Sequence, residues 1–152
     1  MVLEAHEHLL DTTRAVSYMA VVIPALASLG VLSQIEGQAY KNEEGVVWRD
    51  MDFNELGRLP LSGDKPDDYG GNLLIGQGEL SKIILTALKA YPCVKVEFGY
   101  RCVGIEEVDG GVKVMINRNY NDLVLLADYV IGADGTNSFV RRARCIPFEG
   151  YR

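Results

Sequence analysis

The chain has 152 residues, a formal net charge of −6, and 48% hydrophobic and 24% charged residues. This profile is typical of one ordinary globular domain with a core. Lys and Arg are scattered among the acids without forming a basic stripe, which argues against a nucleic-acid partner.

Neither export nor membrane insertion is indicated by the apolar stretches. Glu4 interrupts the N-terminal apolar pair, so no secretory signal is predicted. The longest apolar stretch, residues 15–32, contains Pro24 and small polar residues, which favours a helix of a globular protein over a membrane span. The cysteines form no Cys-x-x-Cys pair, which favours reduced thiols in a cytoplasmic protein over a disulfide framework or a zinc site: Cys93, Cys102 and Cys145.

The first predicted element is the end of a buried strand at residues 2–4, with Glu4 just past its apolar pair. In dinucleotide-binding folds a carboxylate at this place accepts hydrogen bonds from ribose hydroxyls, although the same pattern also occurs at ordinary surface acids. His6 and His8 alternate with Glu7 in a way that could indicate a metal site. Solvated histidines are favoured, because residues two apart on a helix face different ways.

The apolar spacing of residues 15–32 predicts a helix. Pro24 fits the first turn of a helix that runs to Leu29 and is closed by Gly30, with the residues before it irregular or in a separate turn. Arg14, on the preceding loop, could hold a phosphate through two parallel hydrogen bonds. An ordinary surface arginine is the alternative.

The composition changes at residues 38–76, where a sheet insertion is predicted. Strands are expected at residues 45–51 and 72–75, separated by a polar loop at residues 61–71. Trp48 and Phe53 could line a pocket for an aromatic substrate, but a role in the core or on a sheet face is favoured.

The clearest predicted helix begins near Gln77 and stops before Pro92. Its apolar stripe is expected to face the core: Leu80, Ile83, Ile84, Ala87, Leu88 and Tyr91. Strands are then predicted at residues 94–98, 101–108, 112–116 and 123–127. The last three, with an Asp-Gly-Gly turn between the first two of them, indicate a β-meander.

Residues 128–142 combine a strand, a tight turn and the start of a helix. The apolar run 129–131 predicts a strand buried on both faces, which ends before Asp134. Gly135 permits a positive φ or a close approach by a ligand, and Ser138 is placed to cap a helix that begins near Phe139. A ligand phosphate or sugar could sit on this turn.

Taken in order, these segments resemble the FAD-dependent aromatic hydroxylases, the single-component flavoprotein monooxygenases that include phenol- and polyketide-hydroxylating members. The run Val-Ile-Gly-Ala-Asp-Gly-x-x-Ser-x-Val-Arg at residues 130–141 matches the second fingerprint of that family. Residues 2–4, followed by Arg-Ala-x-x-Tyr from Arg14 and by Leu-Gly-Val-Leu from Leu29, resemble the stretch after its second strand. Gln77 opens a Gln-x-x-Leu segment like that of the following family helix.

The resemblance implies FAD as cofactor, NAD(P)H as reductant, and molecular oxygen with a small aromatic or polyketide substrate as reactants. Glu4 would hold the adenosine ribose, Arg14 and Gln77 would contact the phosphate or ribityl region, and Asp134 with Gly135 would orient the ribityl and pyrophosphate part. In such enzymes the reduced flavin and oxygen form a C4a-hydroperoxide that hydroxylates the ring, so no side chain of this chain is expected to act as a catalytic nucleophile.

The resemblance also implies an α/β fold that is an incomplete FAD-binding Rossmann-like domain. No Gly-x-Gly-x-x-Gly turn precedes Glu4 and no Gly-Asp-Ala segment follows, so the chain resembles an internal fragment that is expected to be inactive alone and to bind FAD weakly or not at all. Residues 1–37 and 77–152 are predicted to form part of the FAD-binding domain with its β-meander, and residues 38–76 part of a substrate-domain sheet. In the family a further strand separates those ending near Glu4 and Asp134, which predicts either an open slot or direct pairing of residues 2–3 with 130–131.

Two other functions remain open at this stage. One is a degenerate, non-catalytic α/β module that binds a protein partner through its uncovered strand edges. The other is a different flavin enzyme of the same wider fold, such as a halogenase or oxidase, because a fold does not fix a reaction.

Overall fold

The structure is a computed structural model, and it describes residues 1–10, 14–61 and 69–150. The chain forms two compact units. Unit 1 comprises Met1–His8 and the chain from Val94 onward, and unit 2 comprises Leu9–Cys93. The architecture is mixed α/β, as predicted, whereas the functional division at residues 38–76 stays a prediction.

Unit 1 begins with strand β1, Val2–Glu4, which pairs in parallel with β7, Val96–Phe98. The predicted strand at residues 2–4 is therefore confirmed, but its predicted burial is wrong, because Val2 is 49% exposed and Leu3 and Glu4 are only partly buried. Its partner lies more than ninety residues along the chain, with Val2 opposite Val96 and Glu4 opposite Phe98.

The predicted β-meander is confirmed in the same unit. Its strands are β8, Arg101–Val108, β9, Gly111–Arg118, and β10, Asn121–Ala127, in the order β10-β9-β8 and antiparallel throughout. Gly110 closes the first hairpin with a φ of 79°. Val114 and Ile116 of the central strand are buried and form the apolar centre of this sheet.

The predicted strand at residues 129–131 is wrong. These residues belong to no strand, and the side chains of Tyr129 and Ile131 are 88% and 90% exposed. A strand requires a hydrogen-bonded neighbour, and among the described residues β1 pairs with β7 instead. Direct pairing of residues 2–3 with 130–131 is likewise not found, while the open slot stays a prediction.

Unit 2 is built on an antiparallel sheet in the order β2-β6-β3. Its strands are β2, Ala15–Met19, β3, Tyr40–Asn42, and β6, Asn72–Gly76. The predicted strand at residues 72–75 is confirmed, but the predicted helix is wrong over residues 15–19. Val16 and Tyr18 alternate with more exposed neighbours, and the ladder to β6 decides the conformation of this segment.

Two short helices follow β2. A 3₁₀ turn, Ala20–Val22, leads into α1, Ile23–Ser28, and α2 spans Leu32–Glu36. Pro24 lies in the first turn of α1, and Gly30 follows that helix with a φ of 70°, both as predicted. The 3₁₀ turn before α1 also agrees with the predicted separate turn before Pro24.

Helix α3, Gln77–Leu88, follows β6 directly and confirms the clearest predicted helix. Leu80 and Ile83 are buried, but Ile84 and Tyr91 are 40% and 53% exposed, so the predicted stripe is too wide. The helix packs on β6 and α2 along a narrower face. The core of unit 2 joins residues of the helices and β6: Ile23, Leu26, Val31, Ile35, Leu73, Ile75, Leu80 and Ile83.

Between β3 and β6 the chain forms a separate two-stranded hairpin. Strand β4, Val46–Arg49, lies within the predicted strand at residues 45–51 and pairs with β5, Glu55–Leu59, which the sequence patterns missed. Trp48 is 54% exposed on a sheet face opposite Gly57, and Phe53 is 79% exposed in the connecting turn. Trp48 therefore has the predicted position on a sheet face, whereas Phe53 lies neither in the core nor on a sheet face.

Within the described ranges, no helix is long and apolar enough to cross a membrane. The three cysteines are free thiols. His6 and His8 are exposed, and no group of three or more potential metal ligands occurs in the part of the chain that the structure describes.

Candidate functional site

The turn between Ile131 and the last helix is organised by the Asp134 carboxylate. Helix α4, Phe139–Ala143, begins where the backbone N–H groups of Phe139 and Val140 donate to Asp134 Oδ2 at 2.6 and 3.1 Å. Asp134 therefore caps the helix from four residues before Ser138. A carboxylate beside the first amides of a helix also stabilises the positive end of the helix dipole.

Ser138 completes this cap, as predicted. Its hydroxyl donates to Asp134 Oδ1, and its Oγ accepts from the backbone N–H of Arg141 at 3.0 Å. The hydrogen bond from the Ser138 hydroxyl, followed by the amide hydrogen bonds, holds the pKa of Asp134 below its ordinary value, against an opposing effect of burial. Asp134 is thus ionised at neutral pH and is held in one orientation.

Two arginines brace the same turn from the helix side. Arg141 donates through Nη1 to the Thr136 carbonyl at 2.8 Å, and Arg142 donates through Nη1 to the Asn137 carbonyl at 2.6 Å. Arg141 also stacks over the Phe148 ring, 4.4 Å from its centroid. Both guanidinium groups are engaged with their own turn, and they supply positive charge next to it.

Two glycines shape the approach to this turn. Gly135 has a φ of 78° and open space where a side chain would begin, so the backbone there is accessible and favours glycine. A Cβ on Gly132 would lie 2.8 Å from Val140 Cβ, so that glycine is required for α4 to pack closely on the preceding segment.

Glu4 lies at the carboxyl end of β1. Its Oε1 accepts from the backbone N–H of His6 at 2.8 Å, and its carbonyl accepts from Tyr100 N–H at 2.9 Å. Oε2 has no partner among the described residues. The carboxylate is therefore oriented by one hydrogen bond and retains a free oxygen, which is the requirement for accepting from a ribose hydroxyl.

In unit 2 the structure brings Arg14 and Gln77 together. The backbone N–H of Gln77 donates to the Arg14 carbonyl at 2.7 Å, which extends the β2–β6 ladder by one step. Both residues are exposed, and the Arg14 side chain has no ion pair with the described residues. A guanidinium and an amide at the start of α3 fit an anionic or hydroxyl-rich ligand.

The donor set fits FAD in chemistry. In unit 1, Glu4 offers a carboxylate oxygen that has no partner among the described residues, and Gly135 permits close approach to the turn; in unit 2, the Arg14 guanidinium has no ion pair with the described residues. Asp134 differs from these, because three of its acceptor positions are used by Ser138 and the α4 amides. One acceptor position on Oδ1 remains for a ligand hydroxyl.

A pair of polar residues in unit 2 was not found from the sequence. Asn72 of β6 donates through Nδ2 to Ser17 Oγ of β2, and its own Oδ1 is buried without a hydrogen-bond partner in the described ranges. An unpaired buried polar atom costs about 1–3 kcal/mol. No local pattern indicates this pair, because the two residues are fifty-five positions apart and meet only through the strand register.

Comparison with known proteins identifies the class. The model of the FAD binding domain family matches residues 1–152, the entire chain, and the chain belongs to that family. This confirms the resemblance to FAD-dependent aromatic hydroxylases drawn from residues 130–141.

Individual relatives narrow the comparison. The chain is 35% identical over 145 residues to 6-hydroxy-3-succinoylpyridine 3-monooxygenase HspB of Pseudomonas putida (strain DSM 28022 / S16), covering 93% of this chain and 36% of that protein. It is 27% identical over 157 residues to para-nitrophenol 4-monooxygenase of Pseudomonas sp. (strain WBC-3), covering 99% of this chain and 37% of that protein. The crystal structure of p-nitrophenol 4-monooxygenase PnpA from Pseudomonas putida DLL-E4 superposes with a TM-score of 0.89 at 25% identity, over 99% of this chain and 38% of that one. The chain thus spans a little over a third of the length of these relatives.

Proposed function

We propose that this chain is the part of an FAD-dependent, NAD(P)H-using monooxygenase that contacts the flavin and one side of an aromatic or polyketide-type substrate. The observation that carries the proposal is the fingerprint at residues 130–141, which forms a capped turn and helix within a chain matched throughout by the FAD binding domain family. The named relatives act on a hydroxylated pyridine and on a nitrophenol, which supports a hydroxylated aromatic ring as substrate class.

In this proposal each residue has a separate task. Glu4 accepts a hydrogen bond from the adenosine ribose through its free oxygen, Arg14 neutralises phosphate charge, and Gln77 hydrogen-bonds the phosphate or ribityl region. Asp134 holds the turn so that Gly135 meets the ribityl and pyrophosphate part at close range. FAD supplies the oxygen chemistry when it is bound, with NAD(P)H as the source of electrons.

The Glu4 assignment is tested by a comparison of two flavins. FAD carries the adenosine ribose and riboflavin does not, so we expect Glu4→Gln to weaken FAD binding about tenfold, as for the loss of one charge-assisted hydrogen bond, and to leave riboflavin binding unchanged. Titrations followed through backbone amide NMR signals measure both affinities even when they are weak.

Glu97→Gln is the matched control, because it removes the same charge from β7, the strand beside β1. It should leave both affinities unchanged. Equal weakening of FAD and riboflavin by Glu4→Gln would contradict the ribose assignment. In the presence of FAD, amide shifts that avoid residues 4 and 132–137 would contradict the assignments in unit 1, and shifts that avoid residues 14 and 77 would contradict those in unit 2.

A further inference from the structure

The sequence contains two Asp-Gly pairs, Asp109–Gly110 in the β8–β9 turn and Asp134–Gly135 in the turn before α4. An Asp-Gly pair rearranges readily without an enzyme, because glycine has no side chain to hinder attack of its backbone nitrogen on the neighbouring carboxyl carbon. The product is isoaspartate, in which the main chain runs through the aspartate side chain. The two pairs are therefore candidate sites of the same modification.

The glycines of the two pairs are closely matched as nucleophiles. Gly110 has a φ of 79° and Gly135 a φ of 78°, and a Cβ on either would meet no atom within 4 Å. Neither glycine N–H donates a hydrogen bond to the residues that the structure describes. Asp109 and Asp134 are both exposed. Backbone freedom and access to solvent therefore do not distinguish the two pairs.

The carboxylates of the two pairs differ in their hydrogen bonds. The Asp134 carboxylate accepts from the Ser138 hydroxyl at Oδ1. At Oδ2 it accepts from the backbone N–H groups of Phe139 and Val140, at 2.6 and 3.1 Å. The Asp109 carboxylate has no hydrogen bond or ion pair within the described ranges.

This difference acts on the step that closes the ring. The carboxyl group must turn toward the glycine nitrogen and must take up a proton, because its oxygen leaves as water. At Asp134 the cap of α4 holds the carboxylate in another orientation and stabilises its ionised form, so it opposes both requirements. No described contact opposes them at Asp109.

We propose that Asp109 is a site of spontaneous isoaspartate formation in the folded protein, and that the helix cap protects Asp134 from the same reaction. In the first step a bond forms between the Gly110 nitrogen and Asp109 Cγ, a Cγ–O bond breaks, and water leaves with the amide proton. Water then opens the succinimide ring at the main-chain carbonyl carbon of Asp109, which leaves the peptide bond on Cγ. One water molecule is lost and one is regained, and nothing is oxidised or reduced.

The modification is expected to disturb one end of the β-meander. Isoaspartate adds one methylene group to the main chain of a two-residue turn between Val108 and Gly111, which lie opposite each other in the register. Gly111 has little room to shift, because a Cβ on it would lie 2.7 Å from the Ala127 carbonyl oxygen. The three strands should therefore loosen at this end, whereas the buried Val114 and Ile116 lie further along β9.

The test is to age the full chain in native buffer at neutral pH and to locate isoaspartate by peptide mapping. Trypsin separates the two sites, because Asp109 falls in the peptide 102–113 and Asp134 in the peptide 119–141. Electron-transfer fragmentation then identifies the modified residue within each peptide. We expect isoaspartate to accumulate at Asp109 about tenfold faster than at Asp134, the factor that corresponds to the usual cost of releasing a helix cap.

Unfolding and substitution of the cap supply the controls. In urea above the unfolding transition the two rates should become equal, because the cap is then absent. Ser138→Ala should raise the rate at Asp134 severalfold in native buffer and leave Asp109 unchanged, whereas Ser138→Thr keeps a hydroxyl and should retain the protection. Ser28→Ala should change neither rate, because the Ser28 hydroxyl donates to the Ala25 carbonyl of its own helix.

Three results would overturn the inference. The first is equal rates at Asp109 and Asp134 in the folded protein. The second is isoaspartate at Asp109 only after unfolding, which would show that the hairpin itself prevents ring closure. The third is the same ratio of rates in native buffer and in urea, because the difference would then come from the neighbouring sequence and not from the cap.

Discussion

Leu73→Ala is expected to destabilise unit 2 by about 2–5 kcal/mol, the largest effect of any change considered for this chain. Leu73 is 1% exposed at the centre of the core cluster, on the strand that pairs with both β2 and β3. Its removal leaves a cavity in the core cluster that β6 forms with the helices of this unit. Urea unfolding followed by tryptophan fluorescence measures the effect, because the single tryptophan, Trp48, is in this unit.

Leu56→Ala is the matched control for this substitution. Leu56 is 70% exposed on β5, so the same truncation should cost no more than about 0.5 kcal/mol. If the two variants unfolded at the same urea concentration, the packing of β6 against the helices would not be the main source of stability in this unit.

The elements that the sequence predicted well are those whose evidence is local. Helix α3 has apolar residues at helical spacing and Pro92 beyond its end, and the β8–β9 hairpin has Asp-Gly-Gly at its turn. These signals lie within a few residues of the structure that they determine. They are therefore readable without knowledge of the rest of the chain.

The errors concern segments whose partners are distant. Residues 15–19 have an apolar composition that suits a helix, but they form a strand because β6, more than fifty residues later, supplies the ladder. Residues 129–131 have the composition of a buried strand, but no described strand pairs with them. In both cases the propensity is overridden by the presence or absence of a hydrogen-bonding neighbour.

The candidate site likewise contains features that local sequence predicts and features that depend on residues distant in the chain. The fingerprint identified Asp134 and Ser138 by residue type, and the spacing of Ser138 before Phe139 was sufficient to predict a helix cap. That Asp134 directs three of its acceptor positions at Ser138 and α4 depends on the backbone path through Gly135. The contact between Ser17 and Asn72 depends on strand register, which residue types alone do not determine.

Asp134→Ala is expected to unravel the start of α4 and to cost about 1–2 kcal/mol, the usual range for loss of a helix cap, with the lower end favoured because the carboxylate is exposed. The helix has only five residues, so it has little stability without its cap. Hydrogen exchange at the Phe139 and Val140 amides measures the loss directly. FAD affinity should fall with it if the turn contacts the flavin.

The effect should also depend on pH with a definite sign. The pKa of Asp134 is lowered in the folded protein, first by the Ser138 hydroxyl and then by the α4 amides, so the ionised carboxylate stabilises the fold. This contribution is complete above the ordinary pKa of 3.8 and is lost as the pH falls through the lower folded-state value. Amide protection at Phe139 should therefore fall over that acidic range in the unaltered protein, and Asp134→Ala should lack this dependence.

Asp128→Ala removes the same charge from an exposed residue six positions earlier and should retain both the protection and its pH dependence. Equal loss of protection in the two variants would assign the effect to net charge, whereas loss in Asp134→Ala alone would assign it to the cap.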